Sequence, residues 1–236
     1  MLLRVIAIDY DGTIAEDGVL DPDVREAIVE ARRSGLCVVI VTGRILRELR
    51  KVAGDLSFVD AVVAENGAVI LLQNGHRRLL GPPPFPTLLR ELSERGIEFI
   101  VGRCLVDMDA EHADTVLSII REQKLPLTIS FNRSRMMVLP QSISKSGGLR
   151  EVLDILGTSI HNAIGIGDAE NDYHLLKGCE YGIAVEWAPD FLKNEADFVL
   201  PGKKISAVAE YIRRVSSESR LPQGVKRHHT LVLESK

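Results

Sequence analysis

The sequence predicts an α/β fold: a Rossmann-like parallel sheet core with helices on both faces and an inserted small α+β cap. Three features carry this. Short β-branched runs alternate with amphipathic stretches. Several of the runs stop abruptly at acidic or hydroxyl residues. The proline-rich segment Gly81 to Pro86 breaks the alternation, which resumes at Lys145.

Leu3 to Ile8 reads as a buried first strand, ending in Asp9-Tyr10-Asp11-Gly12-Thr13. Ile14 to Asp21 suits a turn or small hairpin. Asp21 and Pro22 then open a helix whose buried stripe is Val24, Ala27, Ile28 and Ala31 and whose stop is Gly35. Leu36 to Val41 is the second strand, closed by Thr42-Gly43-Arg44 before another helix. Asp60 to Ala64 is the third, closed by Glu65-Asn66-Gly67, a tight turn with Asn66 or Gly67 at positive φ. Val69 to Leu72 and Arg78 to Leu80 form a hairpin around Asn74-Gly75, a type I′ signal.

Residues 81–140 are expected to form the inserted cap: a helix over Thr87 to Arg95, a strand over Ile97 to Val106, a helix over Glu111 to Gln123 and an antiparallel pair near Leu127 to Phe131 and Arg135 to Leu139. Residues 1–80 and 141–215 form the core, with a helix from Lys145 to Leu156 and a strand Ile160 to Ile166. That strand runs into Gly167-Asp168-Ala169-Glu170-Asn171-Asp172. A helix through Leu176, strands at Tyr181 to Val185 and Phe198 to Leu200, a helix after Pro189 and a last helix from Ile205 complete it. Residues 216–236 are polar and basic, suiting a disordered tail or the start of a further domain.

Composition narrows the function. With 45% hydrophobic and 26% charged residues the chain suits an ordinary globular protein, and its net charge of -4 argues against nucleic acid as a partner. Cys37, Cys104 and Cys179 are odd in number and scattered, as packed thiols of a reducing compartment are. The first apolar run is too short for a signal peptide, and no stretch approaches the roughly 20 apolar residues of a membrane span. A cytoplasmic protein without membrane association is the expectation. Nothing in the sequence sets its oligomeric state.

A strand that ends in Asp9 delivers that carboxylate to the sheet edge where open α/β folds bind ligands. The turn after it can bring Asp11 to the same cavity. Two carboxylates so close call for a cation, and Mg²⁺ is the hard, oxygen-seeking choice. An aspartate beside such a cation is a competent nucleophile toward phosphorus. The same stretch also suits a plain polar turn. Thr42 suits a helix cap, and Asp168 and Asn171 suit turn residues.

Taken in order, Asp9-Tyr10-Asp11-Gly12-Thr13, Thr42-Gly43-Arg44, Lys145 and Gly167-Asp168-x-x-Asn171-Asp172 resemble the four motifs of the haloacid dehalogenase superfamily of phosphatases. The cap after the third strand resembles the C2 type, as in Cof-type, sucrose-phosphatase-like and archaeal phosphoglycolate-phosphatase-like members. The resemblance covers about residues 1–215. It implies Asp9 as nucleophile and Asp11 as acid, then base. It implies a Mg²⁺ site from Asp9, Asp11 (through its backbone carbonyl) and Asp168, with Asp172 as a ligand or as support for one. Thr42, Gly43, Arg44, Lys145 and Asn171 would bind the substrate phosphate. The implied partner is a small phosphorylated metabolite, a sugar phosphate or a phosphoglycolate-like acid, with cap residues such as Arg103, Arg133 or Arg135 reading the rest of it.

Three other readings compete. A phospho-accepting receiver domain has no inserted cap and places its acidic pair before the acceptor. A dinucleotide fold lacks its Gly-x-Gly-x-x-Gly here. A non-catalytic, regulatory domain of a larger protein would not need every motif acid, and all are present.

Overall fold

The computed structural model describes residues 2–218. The sequence expectation for residues 219–236 lies outside them. The last helix continues through Glu218, so residues 216–218 belong to it and not to a tail.

Among the described residues, the core is an eight-stranded sheet. Its strands are β1 (Val5–Ile8), β4 (Cys37–Val41), β5 (Ala61–Ala64), β6 (Val69–Leu72), β7 (Arg77–Leu79), β12 (Ala163–Gly167), β13 (Tyr181–Val185) and β14 (Phe198–Leu200). Their order is β14-β13-β12-β1-β4-β5-β6-β7. All neighbours are parallel up to β5, and β6 and β7 return antiparallel. Strands β1, β5, β12 and β13 are buried throughout, which is why they read as unbroken apolar runs. Helices α1 (Pro22–Arg33) and α8 (Ser206–Glu218) pack together, α1 lying on β4. Helices α5 (Lys145–Ile155) and α6 (Tyr173–Gly178) pack together over β4, β5, β6, β12 and β13. The Asp21 cap forms as expected, its carboxylate accepting from the N–H groups of Asp23 and Val24.

A small hairpin, β2 (Ala15–Glu16) with β3 (Val19–Leu20), follows β1. Residues 86–140 carry a second, antiparallel sheet of β8 (Phe99–Val101), β9 (Val106–Asp109), β10 (Leu127–Asn132) and β11 (Arg135–Pro140), in the order β10-β11-β9-β8. Helices α3 (Pro86–Glu94) and α4 (Ala113–Glu122) enclose a separate apolar cluster on one of its faces, with Leu88, Leu92, Val116, Met108 and Met136 among its members. On β11 the alternate residues Met137 and Leu139 join Ile45 and Leu105 in a small cluster against the core. That alternation settles which face of the cap looks down on the core.

Three expectations need correction. The single strand over Ile97 to Val106 is two strands, because Gly102 turns the chain back through a hydrogen bond to the Leu105 carbonyl. The strand expected from Ile160 begins at Ala163, after a short 3-10 turn that Ser159 caps. The Asn74-Gly75 hairpin forms, but only Gly75 has positive φ (83°), so the turn is not type I′, which needs it at both central residues.

Candidate active site

The site lies at the C-terminal ends of β1, β4 and β12, with β1 between its two neighbours. Asp9 follows β1 and is buried, its N–H donating to the Ile166 carbonyl. Asp168 follows β12, and Asp172 lies one short turn later; both are buried. Carboxylate oxygens of Asp9, Asp168 and Asp172 all lie within 4.8 Å of one another. Lys145, at the first turn of α5, is fully buried and donates to Asp9 Oδ1 at 2.5 Å and Asp172 Oδ1 at 2.6 Å.

Two glycines make this convergence possible. Gly67, at φ 112°, lets the chain pass so close to the Ser144 carbonyl that a Cβ would overlap it, and this sets where α5 starts and Lys145 points. Gly12, at φ 78°, leaves room that the Asp168 carboxylate fills. Asp168 also accepts from the Thr13 hydroxyl (3.0 Å) and from Arg133 Nη2 (2.6 Å), which reaches in from the turn between β10 and β11.

Burial, then the Asp172 charge, raises the Asp9 carboxyl well above its ordinary value, against the pull of Lys145. The same two causes push Asp168 up to about 6, against Arg133, Thr13 and Lys145. Burial alone would lower the Lys145 ammonium, but the charges of Asp172 and Asp9 outweigh it and raise it. Three buried carboxylates beside one ammonium form a site short of positive charge. The donors are oxygens only, which suits a hard divalent cation. Asp9 and Asp168 face this need best. Asp172 Oδ2 already accepts from the N–H groups of Asp168 and Ala169, so it braces the loop.

A carboxyl raised by folding holds its proton more tightly in the fold. The stability it contributes is therefore present at low pH and lost as pH rises through about 6. A cation bound there would replace that proton. The rise in melting temperature on adding Mg²⁺ is expected to be larger at pH 7.5 than at pH 5, as thermal melts at the two pH values would show; a larger rise at pH 5 would contradict the site.

The other candidate residues divide. Thr42 is buried, its hydroxyl accepting from the Arg44 N–H. Gly43 lies under the cap: the Met137 sulfur is 2.9 Å from where its Cβ would be, and the Asn171 amide nitrogen 3.2 Å. Both side-chain polar atoms of Asn171 are buried without a hydrogen-bond partner among the described residues, as expected of a group that serves a ligand. Asp11 and Arg44 stand apart from the three carboxylates. The Arg44 guanidinium grips Asp11 with two 2.6 Å hydrogen bonds and lies 5.9 Å from the Tyr10 ring centroid.

The sequence reading passed over Glu65. Glu65, Asn66 and Gly67 all have positive φ, and the buried Glu65 carboxylate accepts from the backbone N–H groups of Arg103 and Cys104. A core residue thus anchors a cap turn; an apolar strand closing in a glutamate was the available signal. Glu65→Ala is expected to cost roughly 2–4 kcal/mol, since hydrogen bonds to a charged group contribute about 1.5–3 each. Amide exchange at Arg103 and Cys104 should speed up while β12 keeps its protection.

Comparison with known proteins follows this geometry. The haloacid dehalogenase-like hydrolase family matches residues 6–101 and 89–212. The chain belongs to that family. It is 28% identical over 236 residues to the 5-amino-6-(5-phospho-D-ribitylamino)uracil phosphatase of Bacillus subtilis, covering 89% of this chain and 95% of that one. It is 28% identical over 221 residues to the phosphoglycolate phosphatase of Methanothermobacter thermautotrophicus, covering 90% and 98%. Among solved structures, a subclass IIB sugar phosphatase of the superfamily shares the fold, with TM-score 0.73 and 18% identity over 89% of this chain and 98% of that one. The expectation of a phosphoric monoester hydrolase is met at the level of the family. Among the described residues, no helix is long and apolar enough to cross a membrane.

Proposed function

We propose that the protein is a Mg²⁺-dependent phosphatase acting on a small phosphorylated metabolite through a phospho-aspartate at Asp9. The observation that carries this is the buried group of Asp9, Asp168 and Asp172, with the Lys145 ammonium bridging Asp9 and Asp172. A divalent cation held by Asp9 and Asp168 would neutralise charge between nucleophile and phosphate.

This chain's residues do the rest. Asp9 Oδ1 is tied to Lys145, which leaves Oδ2 to attack phosphorus as the bond to the leaving oxygen breaks. Lys145, the Thr42 hydroxyl and the Asn171 amide donate to the phosphoryl oxygens, where the transition-state charge spreads. Asp11, once released from Arg44 and having taken a proton from solvent, protonates the leaving oxygen. It then takes a proton from the water that hydrolyses the phospho-aspartate and returns Asp9. The cap sheet, seated over Gly43 through Met137, excludes water and faces the leaving group.

The two named relatives act on a ribityl phosphate and on phosphoglycolate, both small phosphate monoesters. Phosphate release from a panel of metabolite phosphates, with Mg²⁺ and with chelator, tests the reading. Release that is indifferent to chelation, or confined to phosphoproteins, would overturn it.

A further inference from the structure

Arg133 is the first residue of the two-residue turn between β10 and β11 and holds φ at 54°. The cap side of the molecule sends its charge into the core at this point. Its Nη2 donates to Asp168 Oδ2 at 2.6 Å and lies 2.7 Å from where a Gly12 Cβ would be, while 63% of the Arg133 side chain stays exposed. Asp168 is wholly buried, and its other oxygen is taken by Thr13. Each Asp168 oxygen thus already accepts one hydrogen bond, and the guanidinium is the positive charge nearest to where a metal ion would sit. Two positive charges held against one oxygen repel each other, so an ion bound there weakens the hold of the guanidinium.

The other two cap arginines that the sequence offers as substrate readers are placed differently. Arg135 is committed to Asp107 and Asp109 on β9, at 2.7 and 2.8 Å. Arg103 lines a separate cavity beside Arg47, Arg50 and Arg77. Charge decides the rest. Asp9, Asp168 and Asp172 against Lys145 and Arg133 leave one negative charge. With a divalent ion in place of Arg133 they leave none.

We propose that Arg133 is an exchangeable cation: it neutralises Asp168 while the site is empty of metal, leaves when the ion arrives, and then pairs with a second anionic group on the substrate. The favoured substrate class is thus a phosphate monoester whose leaving group carries a carboxylate or another phosphate. This rests on the proposed function and adds a coupling between loading of the metal site and the cap's hold on the substrate.

The test uses the full chain and its Arg133→Ala and Arg133→Lys variants. Trp187, the only tryptophan in the sequence, donates from Nε1 to the Gly12 carbonyl at 2.7 Å, so its fluorescence can follow Mg²⁺ binding without catalysis; calorimetry can do the same. Removing a competing cation should tighten Mg²⁺ binding in Arg133→Ala by about three- to tenfold, with the lysine variant between it and the parent. The KM for phosphoglycolate, relative to that for an aryl phosphate with no second charge, should rise about tenfold or more in Arg133→Ala. Unchanged or weaker Mg²⁺ binding overturns the exchange, and an unchanged KM ratio overturns the substrate class. If the parent binds Mg²⁺ but releases no phosphate, the proposed function fails, and the titration still decides the exchange.

Discussion

Asp9→Asn is expected to lower phosphate release by at least about 10⁴-fold in kcat, because losing a nucleophile removes the covalent route entirely. The fold should tolerate the change. Burial and the Asp172 charge already favour an uncharged group at position 9, and the amide can still accept from Lys145 through its carbonyl oxygen. The melting temperature in chelator should therefore stay equal to the parent's or rise slightly. Single-turnover assays and thermal melts on the same preparation check both halves. Activity near the parent's would remove Asp9 from the mechanism. A collapse in stability would instead make Asp9 a structural residue.

Lys145→Met is expected to fail differently. It strips the one buried ammonium from two carboxylates that have no other strong cation at those oxygens. Breaking a buried pair from one side typically costs about 3–5 kcal/mol. The loss of a donor to the phosphoryl group should add about 10²–10³ in kcat. Metal-free protein should melt well below the parent, and Mg²⁺ should recover part of the difference. Denaturant titrations with and without Mg²⁺ measure this directly. A variant as stable as the parent without metal would show that Asp9 and Asp172 settle their charge by other means.

Much of this site is legible along the chain because strand ends are. An apolar run such as Val5 to Ile8 or Ala163 to Ile166 must be buried, so the first acid after it has a place fixed by the sheet edge. Asp9, Thr42 and Asp168 follow from that logic. Lys145 does too, once the cap is recognised as an insertion. What did not follow depends on how one segment approaches another. Glu65 closes a strand like any turn residue, and only the folded cap brings the Arg103 and Cys104 amides to it. The fork between Asp11 and Arg44 joins residues 33 positions apart whose charges are unremarkable in sequence. Arg133 is one of three cap arginines that the sequence offers as substrate readers, and only the underside of the cap sheet singles it out. The broken strand at Gly102 belongs here as well: the largely apolar stretch from Ile97 to Leu105, with Glu98 and Arg103 within it, conceals a reversal that one glycine and one distant carboxylate fix.

The contact of Ile45 with Leu105, Met137 and Leu139 also has a thermal consequence. Association of oily side chains weakens in the cold, unlike the hydrogen bonds that the Glu65 carboxylate accepts from the cap backbone. On cooling, the lid's greasy latch should loosen before its charged ones do, so chilled enzyme would hold its substrate less firmly for reasons unrelated to the chemical step.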